Sequence, residues 1–501
     1  MIDLFKAGCN LNVKKKLENL NIEKRAYING KFVDSFNGKV MHKISSIDST
    51  LIEGIAECDE VDVNCAVESA KKAFKLWSKF ELGERKNLLL KLADLMEKNR
   101  EELALLDTYE TGRAYRNYFF DSIPKAIEAL RYFAESIDKY YNRAIPSRGN
   151  DFGLIVRIPL GVVGAITPWN DPLVVSTWKF APALAMGNTI VMKPAEQSSL
   201  SLLKIATLTK EAGIPDGVFN VVTGYGEIVG KALALHKDVR GIFFTGSSET
   251  GKKILTYAGS SNMKKVGLEC GGKGPYIVTG NCNNISKSAK VLAKKFFYNQ
   301  GQICSAPSRV IIATSKSEEF FECLKLECEK FIPGDPFDED NNVGCVVSPD
   351  QFTKINNYIQ IARDEGAEIY QAQNKKPNSP KAWCVQPTII RKISSRSRVA
   401  VEEIFGSVVV LLTANSTEEA LEIANNSNYG LAGAVWTDDI NEAYYVSKNL
   451  EVGLVHINSY GDDDNSAPFG GIKESGLGKD KSVYAFDEYS EQKTVWMHFD
   501  R

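Results

Sequence analysis

The sequence is poor in the residues on which several classes of protein depend. Its 501 residues include four histidines, which lie far apart without the spacing of metal ligands, so we predict no metal site. Ten cysteines are too few for a disulfide framework, and no two of them form a C-x-x-C pair. Because histidine is scarce, a general base is expected among the carboxylates.

The chain also lacks a strong charge of one sign and a long apolar run. Its formal net charge is −2 and its pI is about 6.2, which leaves no basic field for nucleic acid or an anionic membrane. No run approaches the roughly 18 apolar residues of a transmembrane helix. The first twenty residues lack the apolar core of a signal peptide. We therefore expect a cytoplasmic protein that binds neither nucleic acid nor membrane.

What is present suits a globular protein that is too long for one core. Hydrophobic residues make up 44% and charged residues 25% of the chain, and its length predicts two or three domains. Two Asn/Gly turn signals in residues 25–40 predict a hairpin. Apolar residues at helical spacing then predict helices near 60–79, 83–108 and 119–142.

From residue 161, short β-branched runs alternate with amphipathic helices in two series. The first series extends from GVVGAI (161–166) to GIFFT (241–245) and includes a predicted helix over 226–236. The second series extends from PYIVTG (275–280) to GLVHIN (453–458). Such alternation is typical of parallel sheets with helices on both faces. The sequence therefore predicts an α/β fold with two domains that meet near residues 268–275.

Two stretches at predicted strand ends suit nucleotide binding. FFTGSSETGKKI (243–254) turns at Gly246 and enters a helix at Ser247, where free backbone N–H groups can bind a pyrophosphate. It is not the G-x-G-x-x-G fingerprint, and a capped helix start is common in any fold. Lys193 and Glu196 in MKPAEQSS could hold a ribose, where the Glu would repel a 2′-phosphate and favour NAD over NADP.

Three further stretches suit chemistry at a carbonyl group. The amide of Asn170, in AITPWNDPL, could stabilise an oxyanion. Glu269 ends an apolar run in GLECGG and could act as a base with a raised pKa. Cys304 lies on a Gly- and Ser-bearing loop, GQICSAPSR, where a thiolate could attack a carbonyl carbon. Each also has an ordinary interpretation, as a turn residue, an ion-paired strand end or a buried thiol.

Taken in order, these motifs resemble one family. TPWN, KPAE, FTGS, LECGGK and GQICS are followed by EEIFGS (402–407), NYGLAGAV (428–435) and PFGGIKESGLG (468–478). This series resembles the NAD(P)-dependent aldehyde dehydrogenase superfamily from about residue 25 to the C-terminus. The resemblance implies the aldehyde dehydrogenase fold, with a Rossmann-like NAD-binding domain (1–143 and 160–268) and an α/β catalytic domain (269–465). It further implies a small β oligomerisation arm and tail (144–159 and 480–501) in a homodimer or homotetramer.

The resemblance also implies roles for matching residues. Cys304 would be the nucleophile that forms a thiohemiacetal and then a thioester, Asn170 would hold the oxyanion, and Glu269 would activate the hydrolytic water. The implied cofactor is NAD, with NADP less favoured. The residues implied to hold it are Ile166, Trp169, Lys193, Glu196, Gly226, Gly246, Ser247, Gly271, Glu403 and Phe405.

A few positions depart from the family pattern. Ser407 stands where Pro is usual, and Gly274 and Tyr276 stand in GGKGPY where GGKSPN is usual, without loss of a catalytic role. Asp171 is the departure that bears on the substrate, because the family usually has Phe or Tyr directly after the catalytic Asn.

Acidic residues are therefore expected around the substrate tunnel, where they and two aromatic rings would recruit a cation. The expected substrate-binding residues are Asp121, Asp171, Trp178, Asp463 and Phe469, with Asp462 and Asp464 beside them in one loop. We expect a cationic amino aldehyde of polyamine degradation: γ-glutamyl-γ-aminobutyraldehyde, 4-aminobutanal or betaine aldehyde. The alternatives are a broad aliphatic or semialdehyde dehydrogenase, and a dehydrogenase fold recruited without activity. The run of three Asp residues is equally typical of a solvated surface loop.

Overall fold

The computed structural model describes residues 16–17, 19–338, 341–374, 383–461 and 463–500. The strands are β1 (Ala26–Ile28), β2 (Lys31–Val33), β3 (Val40–Ile44), β4 (Leu51–Ala56), β5 (Arg143–Ile145), β6 (Asp151–Pro159), β7 (Val162–Ile166), β8 (Thr189–Lys193), β9 (Phe219–Val221), β10 (Val239–Thr245), β11 (Lys265–Glu269), β12 (Pro275–Val278), β13 (Arg309–Ala313), β14 (Glu368–Gln371), β15 (Thr388–Arg391), β16 (Val408–Ala414), β17 (Tyr429–Gly430), β18 (Ala432–Trp436), β19 (Leu454–Ile457), β20 (Ile472–Lys473), β21 (Gly476–Leu477) and β22 (Ser490–His498).

Helices connect most of these strands. The α-helices span Glu60–Trp77, Leu82–Lys98, Arg100–Thr111, Tyr115–Asn117, Ile123–Ser136, Pro172–Ala185, Leu200–Ala212, Lys231–Leu235, Ser248–Ser261, Ile285–Phe297, Ser317–Cys328, Pro349–Asp364, Arg398–Val401, Thr417–Asn425, Ile440–Asn449 and Ala485–Glu488. Two π-helical turns lie at Tyr118–Ser122 and Gly226–Gly230, and a 3-10 turn lies at Thr314–Lys316. Within the described ranges, no helix is both long and apolar enough to cross a bilayer.

The first large sheet has the strand order of a Rossmann fold. Its order is β2-β1-β9-β8-β7-β10-β11-β21, and β9, β8, β7, β10 and β11 are parallel to one another. In chain order these five read 3-2-1-4-5, so the order reverses between β7 and β10. Every residue of β7 and β8 is buried, as expected for strands with helices on both faces. Ligands of such sheets bind beyond the carboxyl ends of the strands, near the reversal.

The second sheet is also mostly parallel, and the predicted α/β fold class is therefore confirmed. Its order is β14-β15-β16-β13-β12-β18-β19, with only β14 antiparallel to its neighbour. The short strand β21, far along the chain, pairs with β11 and extends the first sheet rather than the second. The turn that carries β21 therefore lies beside the end of β11.

The predicted arm and tail meet in a separate sheet. Strand β22 pairs antiparallel with β6 over nine residues, from Ser490 opposite Pro159 to His498 opposite Asp151, and β5 covers the other edge of β6. Arg157 donates to Asp487 over 2.7 Å and anchors the start of the tail. In this chain the tail thus pairs with the arm of its own chain.

Three predictions of helical structure were wrong in detail. The helix expected over 83–108 is broken at Asn99, whose amide donates to the Leu95 carbonyl over 2.8 Å and ends the first segment. The stretch 119–142 begins with a π-helical turn and its helix ends at residue 136. The stretch 226–236 likewise starts as a π-helical turn. Apolar periodicity continues through each of these sites, so it could not reveal the changes in backbone hydrogen bonding.

Candidate active site

Four neighbouring parallel strands deliver the predicted residues to one edge of the first sheet. Strand β7 ends at Ile166, β8 at Lys193, β10 at Thr245 and β11 at Glu269. The register aligns these ends, because Ile166 pairs with both Lys193 and Phe244, and Thr245 pairs with Glu269. Residues that follow each strand, including those predicted to bind a cofactor, consequently lie on a common rim.

Glu269 is a buried carboxyl group at the end of β11. Its Oε2 atom has no hydrogen-bond partner among the described residues. Burial, and then the negative charge of Asp480, raise the pKa of Glu269 well above its ordinary value, and the cations Lys179 and Lys479 oppose that shift. A β-carbon at Gly470 would lie 2.4 Å from the Oε1 atom, so only a glycine leaves room for this carboxyl. A carboxylate whose pKa is raised in this way is a stronger base than an exposed one.

A buried ion pair lies next to Glu269. Lys179 donates to Asp480 over 2.6 Å, and both side chains are almost fully buried. Lys179 is the one charged residue of the apolar helix Pro172–Ala185, in which every residue except Trp178 is buried. These polar groups, with Lys479, Phe243 and Glu488, line a pocket below Glu269.

Cys304 and Asn170 come together through the loop before β13. The Asn170 amide donates to the Gln302 carbonyl over 3.1 Å, and Asn299 donates to the Asn170 carbonyl over 3.1 Å. One such bond leaves the second N–H of the Asn170 amide for another acceptor. Gln300 and Gly301 both have positive φ values, 51° and 69°, which turn the loop sharply toward Cys304.

The Cys304 thiol is half-buried beside two carboxyl groups. Burial, followed by the charges of Glu269 and Glu403, raises the pKa of Cys304 to about 12. The resting group is therefore a thiol, and it needs a base before it can act as a nucleophile. Of the two carboxyl groups Glu269 has the larger effect on Cys304, which makes it the candidate base.

The residues predicted to hold a ribose form one cluster. Lys193 is buried and donates to Glu196 over 2.9 Å, and the same carboxylate oxygen of Glu196 accepts the backbone N–H of Gly226. Burial alone would raise the pKa of Glu196, but Lys193 and the hydrogen bonds lower it overall. Glu196 is thus a fixed carboxylate at the end of β8.

The predicted pyrophosphate site is the start of a 14-residue helix. Ser247 is its N-cap, and its hydroxyl accepts the Thr250 backbone N–H over 3.2 Å. Gly246 donates to the Glu269 carbonyl over 3.1 Å, which joins this turn to the end of β11. The remaining free N–H groups of the first turn face the rim of the sheet.

The last cofactor-site residues pack against the glycines after β11. Glu403 accepts the Gly272 N–H over 2.8 Å, and a β-carbon at Gly271 would lie 2.2 Å from a Glu403 oxygen. The rings of Phe405 and Trp169 meet edge to face, with centroids 5.3 Å apart. Glu403 and Phe405, which shortly precede β16 of the second sheet, thus lie against the rim of the first sheet.

The predicted substrate residues Asp171 and Asp121 belong to one ion network. Asp171 lies 3.3 Å from the buried Arg113, and its other oxygen is buried without a hydrogen-bond partner among the described residues. Arg113 also donates to the Tyr298 hydroxyl, which donates to Asp121 over 2.8 Å. Lys125 lies 2.9 Å from Asp121 at the exposed end of the network.

Asp463, in the loop before β20, is also part of an ion pair. Asp463 lies 2.5 Å from Lys481, whose ammonium is 5.8 Å from the Trp178 ring. The Trp178 and Phe469 rings pack with centroids 5.3 Å apart. Asp462 lies outside the described residues. Asp464 turns away to accept from Ser466, so it caps a local turn.

The sequence interpretation missed the cations that accompany the acidic residues. These are Arg113, Lys125, Lys179 and Lys481. A signal existed for Lys179, because a lone charge in an apolar helix is expected to have a buried partner. A signal also existed for Lys125, which is four residues from Asp121 in a predicted helix. Arg113 and Lys481 lie far from their partners in sequence, and no local pattern pairs them.

Comparison with known proteins places this geometry in a family. The model of the aldehyde dehydrogenase family matches residues 32–495. The chain is 40% identical to the NADP/NAD-dependent aldehyde dehydrogenase PuuC of Escherichia coli (strain K12), over 97% of this chain and 98% of that protein.

Two solved structures have nearly the same fold. An indole-3-acetaldehyde dehydrogenase of P. syringae, in complex with NAD+ and IAA, has a TM-score of 0.95 and 41% identity, over 97% of this chain and 99% of that one. The γ-glutamyl-γ-aminobutyraldehyde dehydrogenase of Burkholderia cenocepacia has a TM-score of 0.94 and 39% identity over the same shares.

Proposed function

Because this chain belongs to the aldehyde dehydrogenase family, we propose that it oxidises an amino aldehyde to the carboxylic acid with NAD, through a covalent Cys304 intermediate. The main support is the meeting of three groups at one rim: the Cys304 thiol, the Asn170 amide and the buried Glu269 carboxyl. They are the nucleophile, the oxyanion donor and the base that acyl chemistry requires.

The chain's own residues account for the covalent steps. Glu269 takes the thiol proton, the Cys304 sulfur bonds to the carbonyl carbon, and the carbonyl electron pair moves to oxygen, which accepts from the Asn170 amide and the Cys304 backbone N–H. Bound NAD+ supplies the acceptor for the hydride. Cys304 is then part of a thioester. Glu269 releases the thiol proton to solvent and, as a carboxylate again, takes a proton from the water that attacks the thioester. The carbon–sulfur bond breaks, and Cys304 leaves as the thiolate.

The residues at the rim suit NAD. The Glu196 carboxylate is fixed where a ribose hydroxyl pair could donate to it, and it would repel a 2′-phosphate. The helix start at Ser247 offers free N–H groups to a pyrophosphate. Gly271 leaves the space in front of Glu403 that a side chain would fill. These groups would bind and orient the cofactor above Cys304.

Asp171 is the support for an amino aldehyde. It directly follows Asn170, and one of its oxygens is buried with no hydrogen-bond partner in the part of the chain that the structure describes, a state that costs about 1–3 kcal/mol. An ammonium N–H that reached this oxygen would recover that cost. The name of the Burkholderia relative, a γ-glutamyl-γ-aminobutyraldehyde dehydrogenase, is consistent with such a substrate.

An uncharged aldehyde is the second candidate, because the acidic residues are already paired. Arg113, Lys125 and Lys481 neutralise Asp171, Asp121 and Asp463 respectively. The field that would recruit a cation is therefore weaker than three free carboxylates would produce.

An aldehyde panel distinguishes the two candidates. We expect 4-aminobutanal or γ-glutamyl-γ-aminobutyraldehyde to have a higher kcat/KM than hexanal, and an Asp171→Phe variant to lose that preference by about tenfold. Lys125→Gln, at the exposed end of the same network, serves as the matched control. Equal kcat/KM values for charged and neutral aldehydes would favour the second candidate.

We further propose that the sheet of β5, β6 and β22 joins copies of the chain into a dimer or tetramer. Strand β22 has one edge paired and the other edge without a strand among the described residues, which is a template for association. Deletion of residues 490–501 is expected to give a smaller species in sedimentation analysis, and an unchanged mass would contradict this interface.

A further inference from the structure

Two cysteines outside the proposed catalytic residues lie in contact with each other. The sulfurs of Cys345 and Cys384 are 3.2 Å apart, whereas a disulfide bond is about 2.05 Å long. Cys345 is buried and Cys384 is half-buried, so a small reagent can reach the second thiol first. Among the nine cysteines that the structure describes, this is the one pair with a recorded sulfur–sulfur contact.

Both segments that carry these cysteines hold the loop of Cys304. Gln300 donates its amide to the Gly344 carbonyl, next to Cys345. The same side chain accepts the Val385 N–H, next to Cys384, over 3.5 Å. Two residues beyond Cys345, Val347 donates to the Gln302 side chain over 3.1 Å. The two thiols therefore flank one glutamine that is four residues from the nucleophile.

Cys345 also contacts the network beside Asn170. Its backbone N–H donates to the Gly112 carbonyl over 2.7 Å, and the next residue, Arg113, pairs with Asp171. Movement of Cys345 would thus be transmitted to both sides of the proposed reaction centre. Closing the sulfurs to bond length requires a relative shift of about 1 Å, which is enough to lower an enzymatic rate by up to ~100-fold when it reaches the reacting groups.

We propose that Cys345 and Cys384 are a reversible redox pair, which a low-molecular-weight disulfide oxidises to an intramolecular disulfide that slows the reaction at Cys304. The Cys384 thiolate attacks one sulfur of the reagent, forms a mixed disulfide and releases one thiolate. The Cys345 thiolate then displaces the second reagent thiolate. Two protein thiols lose two protons and two electrons, and the reagent disulfide is reduced to two thiols.

The order of attack follows from the surroundings of the two thiols. Hydrogen bonding with Cys384, and then burial, raise the pKa of Cys345 well above its ordinary value. The half-buried Cys384 therefore reacts first, and the buried Cys345 then resolves the mixed disulfide.

Peptide mapping tests the bond itself, independently of the proposed function. The full-length Cys304→Ser protein is incubated with oxidised glutathione and digested without reduction. We expect two peptides, one with Cys345 and one with Cys384, that are linked to each other. The mass of the linked pair should be two hydrogens below the summed mass of the free peptides, and dithiothreitol should separate the pair. A mixed disulfide at the exposed Cys65 under conditions that leave Cys345 and Cys384 unlinked would overturn the proposal.

Activity measurements test the coupling to Cys304. Oxidised glutathione is expected to lower the kcat of the wild-type protein at least about tenfold. Dithiothreitol should restore the kcat, and peptide mapping should show that Cys304 stays a free thiol in the oxidised protein. Cys384→Ser should keep its activity through the same treatment, and the control Cys323→Ser should lose it like the wild type. A linked wild-type protein with unchanged kcat, or inactivation of Cys384→Ser to the same extent, would refute the coupling.

Discussion

Replacing Glu269 with Gln separates the chemical role of its carboxyl group from its cost to folding. The amide has the same shape but cannot take a proton. Loss of a general base lowers a rate by about 10²–10⁴-fold, so steady-state aldehyde oxidation should fall by that range. Because Glu269 also takes the thiol proton of Cys304, stopped-flow absorbance should show that the first turnover of NADH slows by a similar factor.

Although Glu269→Gln should lose activity, it should gain stability relative to the wild type as the pH rises. The pKa of Glu269 is raised from 4.5 by burial and by Asp480. A raised carboxyl pKa stabilises the folded state below pH 4.5, and that contribution is lost as pH rises through the folded-state pKa. The amide in Glu269→Gln does not titrate and so has no such loss. The melting temperature of the variant minus that of the wild type should therefore increase with pH.

Glu491→Gln is the matched control, because Glu491 is exposed on β22. It should leave the first turnover, the steady-state rate and the melting curve unchanged. A Glu269→Gln protein with wild-type turnover would refute the assignment of Glu269 as the base. A melting difference that shrinks as pH rises would refute the electrostatic account of its burial.

Three further predictions concern the cofactor rim and the ion network. Glu196→Ser should raise kcat/KM for NADP relative to NAD by at least about tenfold, because it removes a carboxylate that repels a 2′-phosphate; an unchanged ratio of initial rates would contradict this. Arg113→Met should destabilise the fold by about 3–5 kcal/mol by stranding a buried charge, whereas Lys125→Met should cost less than about 1 kcal/mol; equal shifts in urea midpoint would contradict the difference. Gly271→Ala places a carbon 2.2 Å from a Glu403 oxygen and should weaken NAD binding by about tenfold or more in a fluorescence titration; an unchanged Kd would contradict it.

Sequence patterns predicted the parts of this molecule that depend on short stretches of chain. Lys193, Glu196 and Ser247 each lie within a few residues of a strand end, and parallel strands bring such ends to one edge. The helix 83–108 shows the limit of the same reasoning. Its apolar spacing continues past Asn99, where a side-chain hydrogen bond ends the helix without altering the pattern.

The surroundings of the substrate residues could not be predicted, because they depend on contacts between distant segments. Asp171 suggested a free carboxylate, yet Arg113, in the turn after the helix Arg100–Thr111, pairs with it. Asp463 and Lys481 likewise meet only in the folded chain. Residues 341–401, with a helix at Pro349–Asp364 and the strands β14 and β15, carried no motif that predicted their contact with the Cys304 loop.

Trapping the covalent intermediate tests the central claim most directly. Wild-type protein is mixed with an excess of the preferred aldehyde and NAD, quenched in acid within the first turnovers and digested for mass spectrometry. We predict an acyl group, as a thioester, on the peptide that contains Cys304, and no adduct or NADH from a Cys304→Ala protein. An acyl group on another cysteine, or aldehyde oxidation by Cys304→Ala at the wild-type rate, would contradict the account.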